Sequence, residues 1–234
     1  MLDVRHKWAA IGLLLFACSS SKGFAPEPFD ASAEDSGGAD VSLGFPDALP
    51  DAPEDAGPNF RYVFLSSVTF PGDFGGAAGA DALCQSLAKA AGLPGTYMAW
   101  VATDQSSPSK GFVKSQVGYE LTNGLPVAES YAFLIGQQLV HPINVDEHAH
   151  VYDGTCDDAG FEPCGWTAVW TGARANGTWD EAGAGGSCFG FTVADAGATG
   201  HVGSYLATDT TWTSGSGATP PACASELPVY CFEQ

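Results

Sequence analysis

The sequence predicts an α+β domain of short strands around one main helix, with long irregular loops and disulfide bonds, on three observations. Glycine and proline together make 45 of the 234 residues, which favours turns over long helices. One segment carries helical amphipathicity, whereas several β-type runs are separated by turn signals. Six of the seven cysteines lie beyond residue 60, an even number that suits an exported domain. The same composition argues against a coiled coil, a helical bundle and a polytopic membrane protein. With 27 acids against 8 basic residues, a net charge of -19, it also argues against nucleic acid as a partner.

Residues 1–17 read as an export signal. Arg5 and Lys7 precede an apolar run over 8–17, too short to cross a bilayer, which takes about 20 apolar residues. Leu15-Phe16-Ala17-Cys18, followed by three serines, resembles a bacterial lipobox, so Cys18 is the expected lipidation site. An ordinary cleaved signal peptide is the alternative. A fully acylated Cys18 would hold the protein on a membrane. Ser19 after the cysteine favours an outer-membrane lipoprotein of the cell envelope, exposed to the periplasm or the cell surface. Residues 18–59 continue as a Pro-, Ala-, Gly- and acid-rich linker in which Lys22 faces nine acids. Such a sequence cannot bury enough surface to offset chain entropy and is expected to be disordered, spanning about 35 Å as a flexible coil.

Residues 60–234 are expected to form one domain, with 17 acids against 5 basic residues and a net charge of -12. A strand is expected over 61–68, closed by the turn signal Phe70-Pro71-Gly72-Asp73-Phe74-Gly75-Gly76. The main helix is expected over 79–91, with Leu83 and Leu87 on one stripe and Cys84, Ala88 and Ala91 beside it, so that Cys84 faces inward. Asp81 would lie in its first turn, where the helix dipole favours an acid, and Gly92 suits the position just past its end. Further short strands are expected at 98–103, 117–121, 139–143, 168–171, 188–193 and 227–232, and one helical turn at 130–136.

The domain's cysteines are Cys84, Cys156, Cys164, Cys188, Cys223 and Cys231. Three disulfides are the expected use, with 15 connectivities open on count alone. Zinc is the competing use, but there is no Cys-x-x-Cys pair and the 156-to-164 spacing is long for a zinc knuckle.

Gly75-Gly76-x-x-Gly79-Ala80-Asp81-x-x-Cys84, Gly92-Leu93-x-Gly95-Thr96 and Ala99-Trp100-Val101 are similar to the start of endostatin, the C-terminal module of certain collagens. The likeness continues through Ser130-Tyr131-x-Phe133-Leu134, Pro142-Ile143, Val169-Trp170-x-Gly172, Asn176-Gly177, Cys188, Thr199-Gly200 and Cys223, and closes with Val229-Tyr230-Cys231-Phe232-Glu233. It also resembles bacterial lipoproteins, of spirochaete and myxobacterial type, that carry an endostatin-like domain of unknown function, including their Tyr-Cys-Phe-Glu-Gln ending. The resemblance implies a C-type lectin-like fold whose two termini pair as adjacent strands. It implies bridges Cys84–Cys231 and Cys188–Cys223, leaving Cys156 and Cys164, without family counterparts, to close a local loop. Trp170 would sit on a central strand as core.

The calcium-dependent sugar motif of C-type lectins departs from pattern: Glu162-Pro163 is followed by Cys164, and Trp179-Asp180 lacks the asparagine between them. His148, His150, Asp153, Asp157 and Asp158 are weak metal candidates, read in preference as a solvated acidic loop; no metal or other cofactor is expected. A charge of -12 leaves no basic surface for a heparin-type polyanion. Catalytic motifs such as Gly-x-Ser-x-Gly and His-Glu-x-x-His are absent, so no enzyme is expected. If there is a ligand surface, it is placed on the stretch 176–221, with Trp179, Asp180 and Trp212 as contact residues and a satellite core as the alternative place for the two tryptophans. The expected function is that of a membrane-anchored extracellular lipoprotein displaying a binding module for protein or glycan ligands, in adhesion or recognition. A structural envelope lipoprotein and a secreted hydrolase are the alternatives.

Overall fold

The structure is a computed structural model that describes residues 59–136, 138–155, 167–180, 187–215 and 220–234. All of them belong to the second of the chain's two units, Ala52–Gln234. The expected lipidation site Cys18, the expected linker up to residue 58, Cys156 and Cys164, and Asp157 and Asp158 lie outside the described residues. The described chain is mixed α+β with short strands and few helices.

Near-continuous apolar runs at both ends of the domain, Tyr62-Val63-Phe64-Leu65 and Val229-Tyr230-Cys231-Phe232, are what a strand needs when both its faces are buried. They become β1 (Phe60–Leu65) and, last in the chain, β7 (Tyr230–Glu233), paired antiparallel with Phe64 opposite Cys231. The five-stranded sheet adds β2 (Tyr97–Ala99) outside β7, and β3 (Gly118–Leu121) and β4 (Pro126–Ala128) beyond β1, in the order β2-β7-β1-β3-β4. The β1–β3 pairing is parallel and the others are antiparallel.

Side chains alternate across this sheet as the strand period of two requires. Val63, Leu65, Tyr230 and Phe232 point into one core, with Trp100, Tyr119 and Trp212. Phe64, Cys231, Tyr97 and Ala99 point into the other, with Trp170 and Phe191. The second core is roofed by α1 (Gly76–Ala90), whose buried residues Ala80, Cys84 and Ala88 recur every fourth position. The helix therefore meets the sheet through small side chains and a disulfide, Cys84–Cys231, while Leu83 and Leu87 are only half-buried. It starts three residues before the expected position, so Asp81 is not in its first turn. The Asp81 carboxylate instead accepts a hydrogen bond from the Ala99 backbone N–H at 2.8 Å, and Gln85 one turn on accepts from that of Tyr97 at 2.9 Å. Burial pushes the Asp81 pKa up, against the lowering by that hydrogen bond. The two side chains satisfy the outer edge of β2 where another strand would otherwise pair. Gly92 adopts the expected left-handed conformation past the helix end (φ +74°), with Leu93 N–H donating to the Ala88 carbonyl at 2.9 Å.

A second, two-stranded sheet joins β5 (Ala168–Trp170) to β6 (Val202–Ser204). It docks on the start of β7 through the Trp170 N–H, which donates to the Pro228 carbonyl at 3.0 Å. Trp170 is fully buried, as expected of it, and its ring N–H donates to the Phe70 carbonyl at 2.8 Å. A short helix α2 (Pro108–Gly111), a further one α3 (Tyr131–Gly136) and a 3-10 turn (Thr210–Trp212) complete the described elements apart from one. The expected strand at 139–143 is irregular chain: its N–H groups are spent singly, Leu139 on the Thr208 carbonyl and Val140 on that of Val127, rather than on a ladder.

Candidate functional site

The remaining element, α4 (Cys188–Phe191), replaces the strand expected over 188–193. All four of its residues have positive φ: 47° at Cys188, 52° at Phe189, 71° at Gly190 and 62° at Phe191. It is one turn of left-handed helix, closed by Phe191 N–H donating to the Ser187 carbonyl at 2.7 Å and Thr192 N–H to that of Cys188 at 3.1 Å. Only glycine takes this conformation without cost, and each of the other three residues opposes it by about 1–2 kcal/mol. The surroundings hold it there. Cys188 is bridged to Cys223, and Phe191 is buried between Phe74, stacked at 4.8 Å, and Trp170, edge-on at 5.9 Å.

With Cys188 and Phe191 turned inward, Phe189 is thrown outward and is 64% exposed, the most exposed large apolar residue among those described. It lines an open cleft of about 250 Å³ together with Asp104, Trp179, Ser187 and Gly190. Trp179 is half-buried, its body against the first core and its ring N–H donating to the Ser187 hydroxyl at 3.4 Å. Asp104 is exposed, with the Gln105 side-chain amide donating to its carboxylate at 3.0 Å. Asp104 is the one charged residue among the described residues of this lining.

The expected contact residues part company. Trp179 is in the cleft. Asp180, next in sequence, is spent on an internal cluster: Arg174 donates to its Oδ1 from Nε at 3.1 Å and from a terminal nitrogen at 3.0 Å, and His201 Nε2 lies 3.6 Å from its Oδ2. Burial holds the His201 pKa below its ordinary 6.5, Asp180 opposes that shift, and Arg174 adds to it. Trp212 is a correction. It is 1% exposed, not in a satellite cluster but in the first core, with its ring 4.9 Å from that of Trp100 and 5.5 Å from that of Tyr230. A side chain so enclosed cannot offer contact area to a ligand.

The bridges Cys84–Cys231 and Cys188–Cys223 are those that the resemblance implies. Among the described residues no three His, Cys, Asp or Glu side chains are grouped to hold an ion. His148 and His150 are exposed beside a buried carboxylate each, Glu147 and Asp146, and serve a loop. Asp146 is the hub of that loop. It accepts from the His148 and His150 N–H groups at 2.8 and 2.9 Å and from the Tyr152 hydroxyl at 3.0 Å. Asp153 is held below the usual carboxylate range by the hydroxyl and N–H of Thr155.

Phe189, Asp104, Ser187 and Gly190 were not expected at a site. The available signal was Gly190 between two phenylalanines directly after a cysteine, a poor fit to an uninterrupted strand. Comparison with models of known protein families finds no match, and comparison with curated proteins finds no relative.

Proposed function

We propose that the protein is a membrane-anchored extracellular lipoprotein displaying a C-type lectin-fold, endostatin-like binding module for protein or glycan ligands. The observation that carries the binding role is the aromatic cleft. Phe189 is held in solvent by a turn that three non-glycine residues oppose, and a solvated phenylalanine on a strained backbone contributes nothing to the core. The lectin-like reading is supported by the ordered sequence likeness over 61–234 and by the antiparallel pairing of the domain's first and last strands. Disulfides agree with an oxidising location outside the cytoplasm. The full chain, immobilised and probed with an array of glycans and extracellular proteins, should retain at least one ligand, and Phe189→Ala should abolish that retention. An array on which nothing binds would favour a structural envelope protein instead.

A further inference from the structure

We propose that the cleft receives a cationic side chain, the guanidinium of arginine or the ammonium of lysine, presented by an extracellular partner protein. The proposal rests on the binding-module reading and names what that module selects. Three features point to this chemistry. Two aromatic rings, Trp179 and Phe189, line the cleft, and the faces of such rings attract a cation through their quadrupole, tryptophan most strongly. Asp104 supplies a carboxylate at the same cleft, with no lysine or arginine among the described lining residues to neutralise it. The domain around it carries -12, so a basic segment approaches down the potential while an acidic one is repelled.

A neutral sugar fits less well. It needs several fixed polar groups for its hydroxyls, whereas Ser187 is 4% exposed and already accepts the Trp179 N–H, which leaves Asp104 as the one exposed polar side chain among the described lining residues. Arginine suits the cleft best, because its planar guanidinium can lie against a ring while its edge donates to a carboxylate.

The test uses the full chain labelled with nitrogen-15 and follows the indole N–H resonance of Trp179, which belongs to the cleft. The probe is the peptide acetyl-Gly-Arg-Gly-amide. Its citrulline counterpart, equal in shape but uncharged, is the first control, and methyl glucoside is the second. The arginine peptide should shift the Trp179 resonance saturably, and the citrulline peptide should bind about tenfold more weakly. Phe189→Ala and Asp104→Asn, both at exposed positions, should each weaken the arginine peptide by roughly threefold or more. Phe189→Ala changes no charge, so its effect separates cleft binding from general attraction to an acidic protein. Equal binding of arginine and citrulline peptides, or no shift with either, overturns the proposal. A shift with methyl glucoside alone overturns it too, but leaves the binding-module reading intact.

Discussion

At the scale of single residues, the two tryptophans expected to share one role divide by what surrounds them. Trp212→Ala empties a site walled by Trp100, Tyr230 and Phe232 and should cost about 3–5 kcal/mol. Trp179→Ala removes a half-buried ring at the cleft and should cost about 1 kcal/mol while abolishing ligand retention. Denaturant unfolding of both variants distinguishes them, and equal losses would contradict the division. Sequence could not separate the two because burial of a loop tryptophan depends on which chain segments return over it. Here β7 and Trp100 close over Trp212 from 18 and more residues away. His201 gives a pH-dependent prediction. Its folded pKa lies below 6.5 because burial disfavours the imidazolium, so the unfolded chain binds the proton more readily. Stability from this residue is fully present above pH 6.5 and is lost as pH falls towards the folded value. Urea midpoints measured between about pH 7.5 and 5 should fall more steeply for the wild type than for His201→Gln; parallel profiles would show that the histidine is not linked to folding.

At the scale of elements, helix α1 and its inward-facing Cys84 were legible, and the rest of its packing was not. The 3.6-residue pattern and Gly92 located the helix and its end, but the stripe of Leu83 and Leu87 is not the buried one. The helix lies so close to the sheet that the inner positions admit only Ala80, Cys84 and Ala88, a distance that no local pattern encodes. The left-handed turn was illegible for a different reason. Cys-Phe-Gly-Phe-Thr-Val has strand composition, and its conformation is imposed from outside by the bridge to Cys223 and by the pocket around Phe191. The strain gives a prediction of unusual sign. Phe189→Asn places a residue that tolerates positive φ where a solvated phenylalanine stood, and should raise stability by up to about 1 kcal/mol while ligand retention is lost. Calorimetry paired with the binding assay checks both halves; a fall in melting temperature would mean that Phe189 is packed rather than presented.

For the molecule as a whole, the bridges differ in reach. Cys84–Cys231 spans 147 residues and Cys188–Cys223 spans 35. By chain entropy the first limits the unfolded state by about 5 kcal/mol and the second by about 4. Replacing Cys84 and Cys231 by alanine should therefore lower the urea midpoint more than replacing Cys188 and Cys223. The second pair should instead release the left-handed turn and, with it, ligand retention. On the anchor, palmitate should label cells making the wild type and not those making Cys18→Ala; equal labelling would remove the lipoprotein reading. The place of β7 has a consequence for how the domain comes into being. The strand that joins β2 to β1 lies C-terminal to both, so until residue 233 has emerged β1 and β2 have nothing between them and Cys84 lacks the partner it has in the fold. A nascent chain is thus barred from finishing early.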